Sequence, residues 1–135
     1  MKKMLFLLVV AALMLTATSC STTTKSAAQS TTAENYRFGV YTAVIPCNLF
    51  DADKAVRAMG KRAKFLEMAR RNKYNHIEYL YRDFYDNKLS ITIWDTGDGS
   101  TKIQIKVGKL GDKASSEEIL VAIDEELRVD GYPAQ

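Results

Sequence analysis

Apolar and polar positions recur along this chain with two different periods, and the switches between them mark out its elements. Met4 to Leu15 is an unbroken apolar run behind Lys2 and Lys3. Ser21 to Asn35 follows with no apolar period at all. It is mostly Ser, Thr and Ala, a composition that buries too little to fold alone. Tyr36 to Ile45 is rich in β-branched and aromatic residues and stops at Pro46, which predicts a first strand. Asn48 or Asp51 can cap a helix start. Val56, Met59, Ala63, Leu66 and Ala69 then recur at helical spacing, predicting a long helix to about Arg71.

From Lys73 the period changes to two. Ile77, Tyr79 and Tyr81 alternate with His76 and Glu78; Leu89, Ile91 and Ile93 alternate with Ser90, Thr92 and Trp94; Ile103, Ile105 and Val107 alternate with Lys102, Gln104 and Lys106. Asp86-Asn87 and Asp95 to Gly99 supply the turns between them. Such alternation predicts a sheet with one buried and one polar face. Ser115, with Glu118 three residues on, has the form of a capping box. Ile119, Leu120, Ile123 and Leu127 line one side of a closing helix that Gly131 and Pro133 end.

The expected fold class is therefore α+β, in the order β-α-β-β-β-α. The expected architecture is a two-layer sandwich: a four-stranded, mostly antiparallel sheet with both helices on its apolar face. A right-handed crossover would set strand one parallel to a neighbour at a sheet edge. Three regions are expected: 1–19 a signal peptide, 20–35 a tether, and 36–130 the folded domain.

The leader carries the order of a secretory signal: a basic start, the apolar run, then Thr16-Ala17-Thr18-Ser19 before Cys20. The run is 12 residues, short of the roughly 20 that cross a bilayer. Cleavage before Cys20 with acylation of its thiol gives a lipoprotein. Ser19 fits that route, whereas Ala17 stands where Leu is usual. General signal peptidase cleavage after the same Ala-x-Ser pattern would give a soluble protein instead. The cysteine at the cleavage point and the tether behind it favour the lipoprotein. The membrane is then a partner through the N-terminal lipid, palmitate included. The place is the bacterial cell envelope, with Ser21 favouring the outer membrane, facing the periplasm.

Cleavage also changes the charge. The whole chain has 19 basic and 16 acidic side chains; without Lys2 and Lys3 the excess falls from +3 to +1. The sequence pI near 8.8 is then no argument for a nucleic-acid partner. With Cys20 acylated, Cys47 is the sole free thiol and reads as a small packing residue. Without acylation, a Cys20–Cys47 bridge becomes conceivable.

The segment Ile103-Gln-Ile-Lys-Val-Gly-Lys-Leu-Gly111-Asp112, followed by Ser115, Ser116, Ile119, Leu120 and Ile123, resembles a family of small bacterial lipoproteins known as a domain of unknown function (number three-five-six-eight). The resemblance extends over roughly Tyr36 to Leu127 together with the leader. It implies the same element order and an envelope location, and brings no activity and no site residues. The basic run of the long helix is less typical of the family. Each residue of the motif also has a purely structural reading: glycines for turns, Asp112 for backbone hydrogen bonds, Ser115 for the helix cap.

Candidate chemistry is thin. Asp95-Thr96-Gly97 matches the aspartic-protease string, but Asp98 follows where the protease pattern has Ala or Ser, and the flanks read as a hairpin turn. A calcium loop would need further oxygen ligands at alternating positions and a later Glu. His76 has no visible nucleophile or metal-ligand partners. No metal, cofactor or enzymatic activity is expected. Two surfaces could bind. One is the polar sheet face, with Trp94, Thr92, His76, Glu78, Lys102 and Gln104, where an exposed Trp could anchor a protein or stack on a sugar. The other is the helix with Lys54, Arg57, Lys61, Arg62, Lys64, Arg70 and Arg71, which with Lys73 and a single acid, Glu67, carries +7. That helix would suit anionic lipid or a cell-wall polymer. Its counterweight is Asp112 to Asp130, with seven acids and two bases, which could neutralise it from inside. The function expected is a non-enzymatic interaction or accessory module near the membrane, with an envelope protein or cell-wall polymer as partner.

Overall fold

The computed structural model describes residues 32–130. These residues form a two-layer α+β sandwich with two helices on one face of a single sheet. Six strands make the sheet, not the expected four: β1 (Thr32–Arg37), β2 (Val40–Ile45), β3 (Leu66–Asn72), β4 (His76–Arg82), β5 (Lys88–Asp95) and β6 (Thr101–Val107). The helices are α1 (Leu49–Arg62) and α2 (Lys113–Val129). The strands lie in the order β1-β2-β6-β5-β4-β3, and every neighbouring pair is antiparallel.

The first added strand comes from splitting the predicted strand one. Phe38 and Gly39 both have positive φ (52° and 77°), between the paired residues Arg37 and Val40. Positive φ at both central positions makes the two-residue hairpin turn whose twist matches the strands. β1 therefore reaches back to Thr32, into the stretch read as tether. Gly39 is needed here for a second reason. A Cβ on it would lie 2.0 Å from the Leu110 carbonyl oxygen, and one on Gly111 would lie 2.0 Å from the Gly39 carbonyl oxygen. The β1–β2 turn and the β6–α2 loop thus meet backbone to backbone.

The second added strand comes from the end of the predicted long helix. α1 stops at Arg62, Lys64 turns the chain at φ 56°, and Leu66–Asn72 pairs with β4 as an edge strand. Length explains the stop. Fourteen residues of helix rise about 21 Å, close to the span of a seven-residue strand. A helix continuing to Arg71 would overshoot the sheet. The match of Leu66 and Ala69 to the helical period is coincidental: Leu66 is exposed and Ala69 points to the outer face beside Leu80.

The expected parallel neighbour is absent as well. β2 and β3 do run in the same direction, but β6, β5 and β4 lie between them. α1 carries the chain from one side of the sheet to the far edge, and the β3–β6 meander returns to close against β2. The caps are Asn48, whose Oδ1 accepts from the Asp51 amide at 2.9 Å, and Asp112, whose Oδ1 accepts from the Ser115 amide at 3.0 Å. Ser115 is thus inside α2 and is not its cap.

Cross-strand rows fill the buried face: Ile77–Ile93–Ile103–Ala43, and Tyr79–Ile91–Ile105–Tyr41. Ala52, Ala55, Val56 and Met59 of α1, with Leu120, Ile123 and Leu127 of α2, cover them.

One charge enters this core. Asp53 of α1 is 6% exposed. Its carboxylate accepts from the Tyr79 hydroxyl on β4, from Arg70 Nη2 on β3 at 2.8 Å, and from Arg57 Nη2 at 2.9 Å. Burial alone would raise the Asp53 carboxyl. The Tyr79 and Arg70 hydrogen bonds and the two guanidinium charges outweigh burial and hold it below the usual carboxylate range. An acid held below its unfolded value near 3.9 stabilises the fold above that pH. The contribution drains away as pH falls toward the lower folded value. Asp53→Asn should therefore cost about 2–4 kcal/mol at neutral pH. It should also flatten the loss of stability below about pH 4. Urea unfolding of both proteins at neutral and acid pH checks the two effects.

Candidate functional site

The face of the sheet turned away from the helices carries all six residues proposed from the alternation pattern. Because the strands pair in register, these residues form rows across the sheet. In one row His76, Trp94 and Lys102 are direct neighbours on β4, β5 and β6, with Val44 of β2 beyond. In the next, Glu78, Thr92, Gln104 and Thr42 stand side by side. Leu80, Ser90 and Lys106 make a third.

The geometry of the first row limits what Trp94 can do. The His76 ring stacks on the indole with centroids 5.7 Å apart and 26° between planes. Lys102 Nζ lies 4.6 Å from the indole centroid, on the side of the opposite strand. The indole is thus flanked by side chains from the strands on either side of it. Stacking on a sugar would have to displace one of them, so the sugar reading loses support, whereas contact through the ring edge stays open. His76 is itself held: Nδ1 is 2.9 Å from Asn75 Oδ1 and Nε2 is 3.3 Å from Glu78 Oε1. The same Glu78 oxygen accepts from Lys73 Nζ at 3.0 Å, a bond that keeps its carboxyl below the ordinary range. The row is a pre-ordered strip of aromatic and charged groups.

The face extends beyond the expected residues. A shallow depression of about 200 Å³ lies between Ala69, Arg71, Leu80, Ser90 and Thr92. Another, of about 340 Å³, lies between Asn35, Arg37, Val40, Thr42 and Gln104 near the opposite edge. Arg71, assigned to the long helix by the periodicity, and Lys73, counted with its basic run, belong to this face instead. Had the β-strand at Leu66–Asn72 been seen, pairing with β4 would have placed Arg71 beside Glu78.

The proposed anion-contact helix does not exist as one surface. Arg57 and Arg70 bind Asp53, the acid one position before the counted stretch. Lys54 pairs with Asp130 at 3.2 Å, and Arg62 with Glu126 at 2.9 Å and Glu125 at 3.8 Å. The acidic helix thus neutralises the basic one, as the charge count of Asp112 to Asp130 allowed. Among the described residues, Lys61, Lys64 and Arg71 form no ion pair, and they lie apart, on α1, in the α1–β3 turn and on β3.

The remaining motifs resolve into local structure. Asp95 Oδ1 accepts from the Gly97 amide at 2.8 Å, and Asp98 Oδ1 from the Ser100 amide at 3.0 Å and from the Thr96 hydroxyl. Gly97 and Gly99 have φ of 82° and 85°. The carboxylates of the DTG string are turn acceptors of the β5–β6 connection. Cys47 is buried below the start of α1, where burial, with Asp51 nearby, pushes its thiol up to about 12. Its carbonyl accepts from Thr101 Oγ1 at 2.8 Å. Cys20 and the leader lie outside the described residues.

The fold defines a small α+β module, one sheet face of which no helix of the described residues covers. The chain belongs to the family described as "Protein of unknown function (DUF3568)", whose sequence profile matches residues 3–126. That match takes in most of residues 1–31 as well as most of the domain. No curated protein matches the chain.

A thiol buried and protonated in this way should be inert. In a chain carrying Cys20→Ser, iodoacetamide at about pH 8 should leave Cys47 unmodified until denaturant is added. Alkylation of the native protein at the rate of a free thiol would show that the site opens.

Proposed function

We propose that this protein is a lipoprotein of the bacterial envelope, anchored through acylated Cys20 and directed to the outer membrane. In this reading it works without catalysis, as a protein-interaction or accessory module facing the periplasm. The working surface is the outer sheet face centred on Trp94, with Thr92, His76, Glu78, Lys102 and Gln104. The observation that carries this reading is the row His76–Trp94–Lys102 on a face that no element of the described chain covers. Stacking fixes these side chains before any partner arrives, so binding orders little that is not already ordered. The depressions on either side give a partner relief to fit.

The rival reading, contact with anionic lipid or cell-wall polymer through the basic helix, has less support. Of its eight bases, Lys54, Arg57, Arg62, Arg70 and Lys73 are paired with acids of the same molecule.

Two substitutions test the two parts separately. Cys20→Ser should move the protein from the membrane to the soluble fraction, and mass spectrometry of the wild-type N-terminus should show acyl chains on Cys20. Trp94→Ala should leave the circular dichroism spectrum unchanged. It should weaken cross-linking to envelope proteins in intact cells by roughly 30-fold, the loss expected of a central aromatic anchor. An unmodified N-terminus would remove the anchor. Cross-links unaltered by Trp94→Ala and by Gln104→Glu would remove the face.

A further inference from the structure

Loops at one end of the sheet expose large apolar side chains that the domain leaves uncovered. Phe38 of the β1–β2 turn is 93% exposed, Phe84 of the β4–β5 turn 95%, and Leu110 of the β6–α2 loop 86%. Tyr85 stands edge-on against Phe84, with ring centroids 5.7 Å apart. The strand register puts all three connections at the same end. Arg37 pairs with Val40, Arg82 with Lys88, and Leu89 with Val107, just before the turns in question. The backbone contact of Gly39 with Leu110 and Gly111 holds the first and third tips together. The β4–β5 turn is about three strand spacings away, roughly 14 Å. Single exposed apolar residues are ordinary, but protruding tips gathered from separate loops at one end are not.

The charges at this end are one-sided. The acids of the three connections are used internally: Asp86 pairs with Arg82, Asp83 accepts from the Tyr85 and Asn87 amides, and Asp112 caps α2; beyond them on α2, Glu117 pairs with Lys113 and Glu118 is exposed. The bases Arg37, Lys88 and Lys109 are exposed and have no acid partner among the described residues. We propose that this loop end is a second contact surface, one that docks on an anionic bilayer. There the apolar tips enter the headgroup boundary and the bases face lipid phosphates. A bilayer interface accepts separate tips at any spacing, whereas a protein would need a matched pocket for each.

Position along the chain agrees with this. Thr32, where the described chain begins, lies beside Val44, toward the opposite end of the sheet. The 12 residues from Cys20 to Thr32 reach roughly 40 Å when extended, more than the roughly 24 Å of a seven-residue strand. A domain so leashed can lay its loop end on its own membrane. This reach holds only with Cys20 as the anchor; the surface itself does not need it.

The test uses the chain from position 20 with Cys20→Ser, so that no acyl chain contributes. The probes are vesicles of phosphatidylglycerol with phosphatidylcholine and vesicles of phosphatidylcholine alone, in a co-sedimentation assay. Association with the anionic vesicles, at least tenfold stronger than with the neutral ones and falling with salt, is expected. Phe38→Asn, Phe84→Ser and Leu110→Ser combined should reduce it at least tenfold. Asn tolerates the left-handed backbone at position 38, so the fold should survive. Trp94→Ala should bind vesicles like the parent, and the Trp94 emission of the parent should not shift, since the indole lies near the other end. No association with either vesicle, association unchanged in the triple variant, or a loss in Trp94→Ala would overturn the proposal. The last result would point to the outer face, so this surface and that of the proposed function fail independently.

Discussion

A single buried carboxylate settles how the basic middle of this chain folds. Asp53 sits on α1 beneath the sheet and cannot remain charged there without partners. Tyr79 comes from β4, Arg70 from β3, and Arg57 from one turn along the same helix. These bonds tie three elements together at the sheet edge farthest from β2. They also explain why β3, whose side chains are otherwise largely exposed, stays in the sheet: its inward position opposite Tyr79 is Arg70, which has an anion to reach.

The same principle organises the surface. Between Thr32 and Asp130 there are 16 basic and 16 acidic side chains, so the domain as a whole is neutral and only placement matters. On the helical side, charges of opposite sign meet: Lys54 with Asp130, Arg62 with Glu125 and Glu126, Arg128 with Asp124. Little net field is left there to attract a ligand. On the sheet side, Arg71, Lys102 and Lys106 stand on the open face with Glu78 as the nearby acid, itself bound to Lys73. Bases without an acid partner among the described residues stand on the sheet face (Arg71, Lys102, Lys106) and at the loop end (Arg37, Lys88, Lys109), besides Lys61 on α1 and Lys64 just after it. Both proposed surfaces lie where charge is left over.

Much of this was legible in the chain. Strict alternation fixed β4, β5 and β6, and with them the inward and outward sides of every residue from His76 to Lys106. That is why all six residues assigned to the outer face are found on it. The closing helix and its buried Leu120, Ile123 and Leu127 were equally plain. Two things were hidden. The β1–β2 turn uses Phe38, a residue with little liking for positive φ, and is stabilised by a contact between Gly39 and Gly111, 72 positions on, that no local pattern displays. The end of α1 was masked because Ala63, Leu66 and Ala69 continue the helical period by accident. A sheet edge, with its single inward Arg, has no alternation to announce it. Counting bases from Lys54 also left out Asp53, the one acid that claims two of them.

The central claim is that this fold is a scaffold for an open sheet face that meets a partner in the envelope. Hydroxyl-radical footprinting of the purified protein and of the protein in intact cells tests it most directly. Trp94 and His76 should be oxidised in the purified protein and protected several-fold in cells, with Tyr74 and Phe50 labelled equally in both. Equal labelling of Trp94 in the two settings would contradict the account.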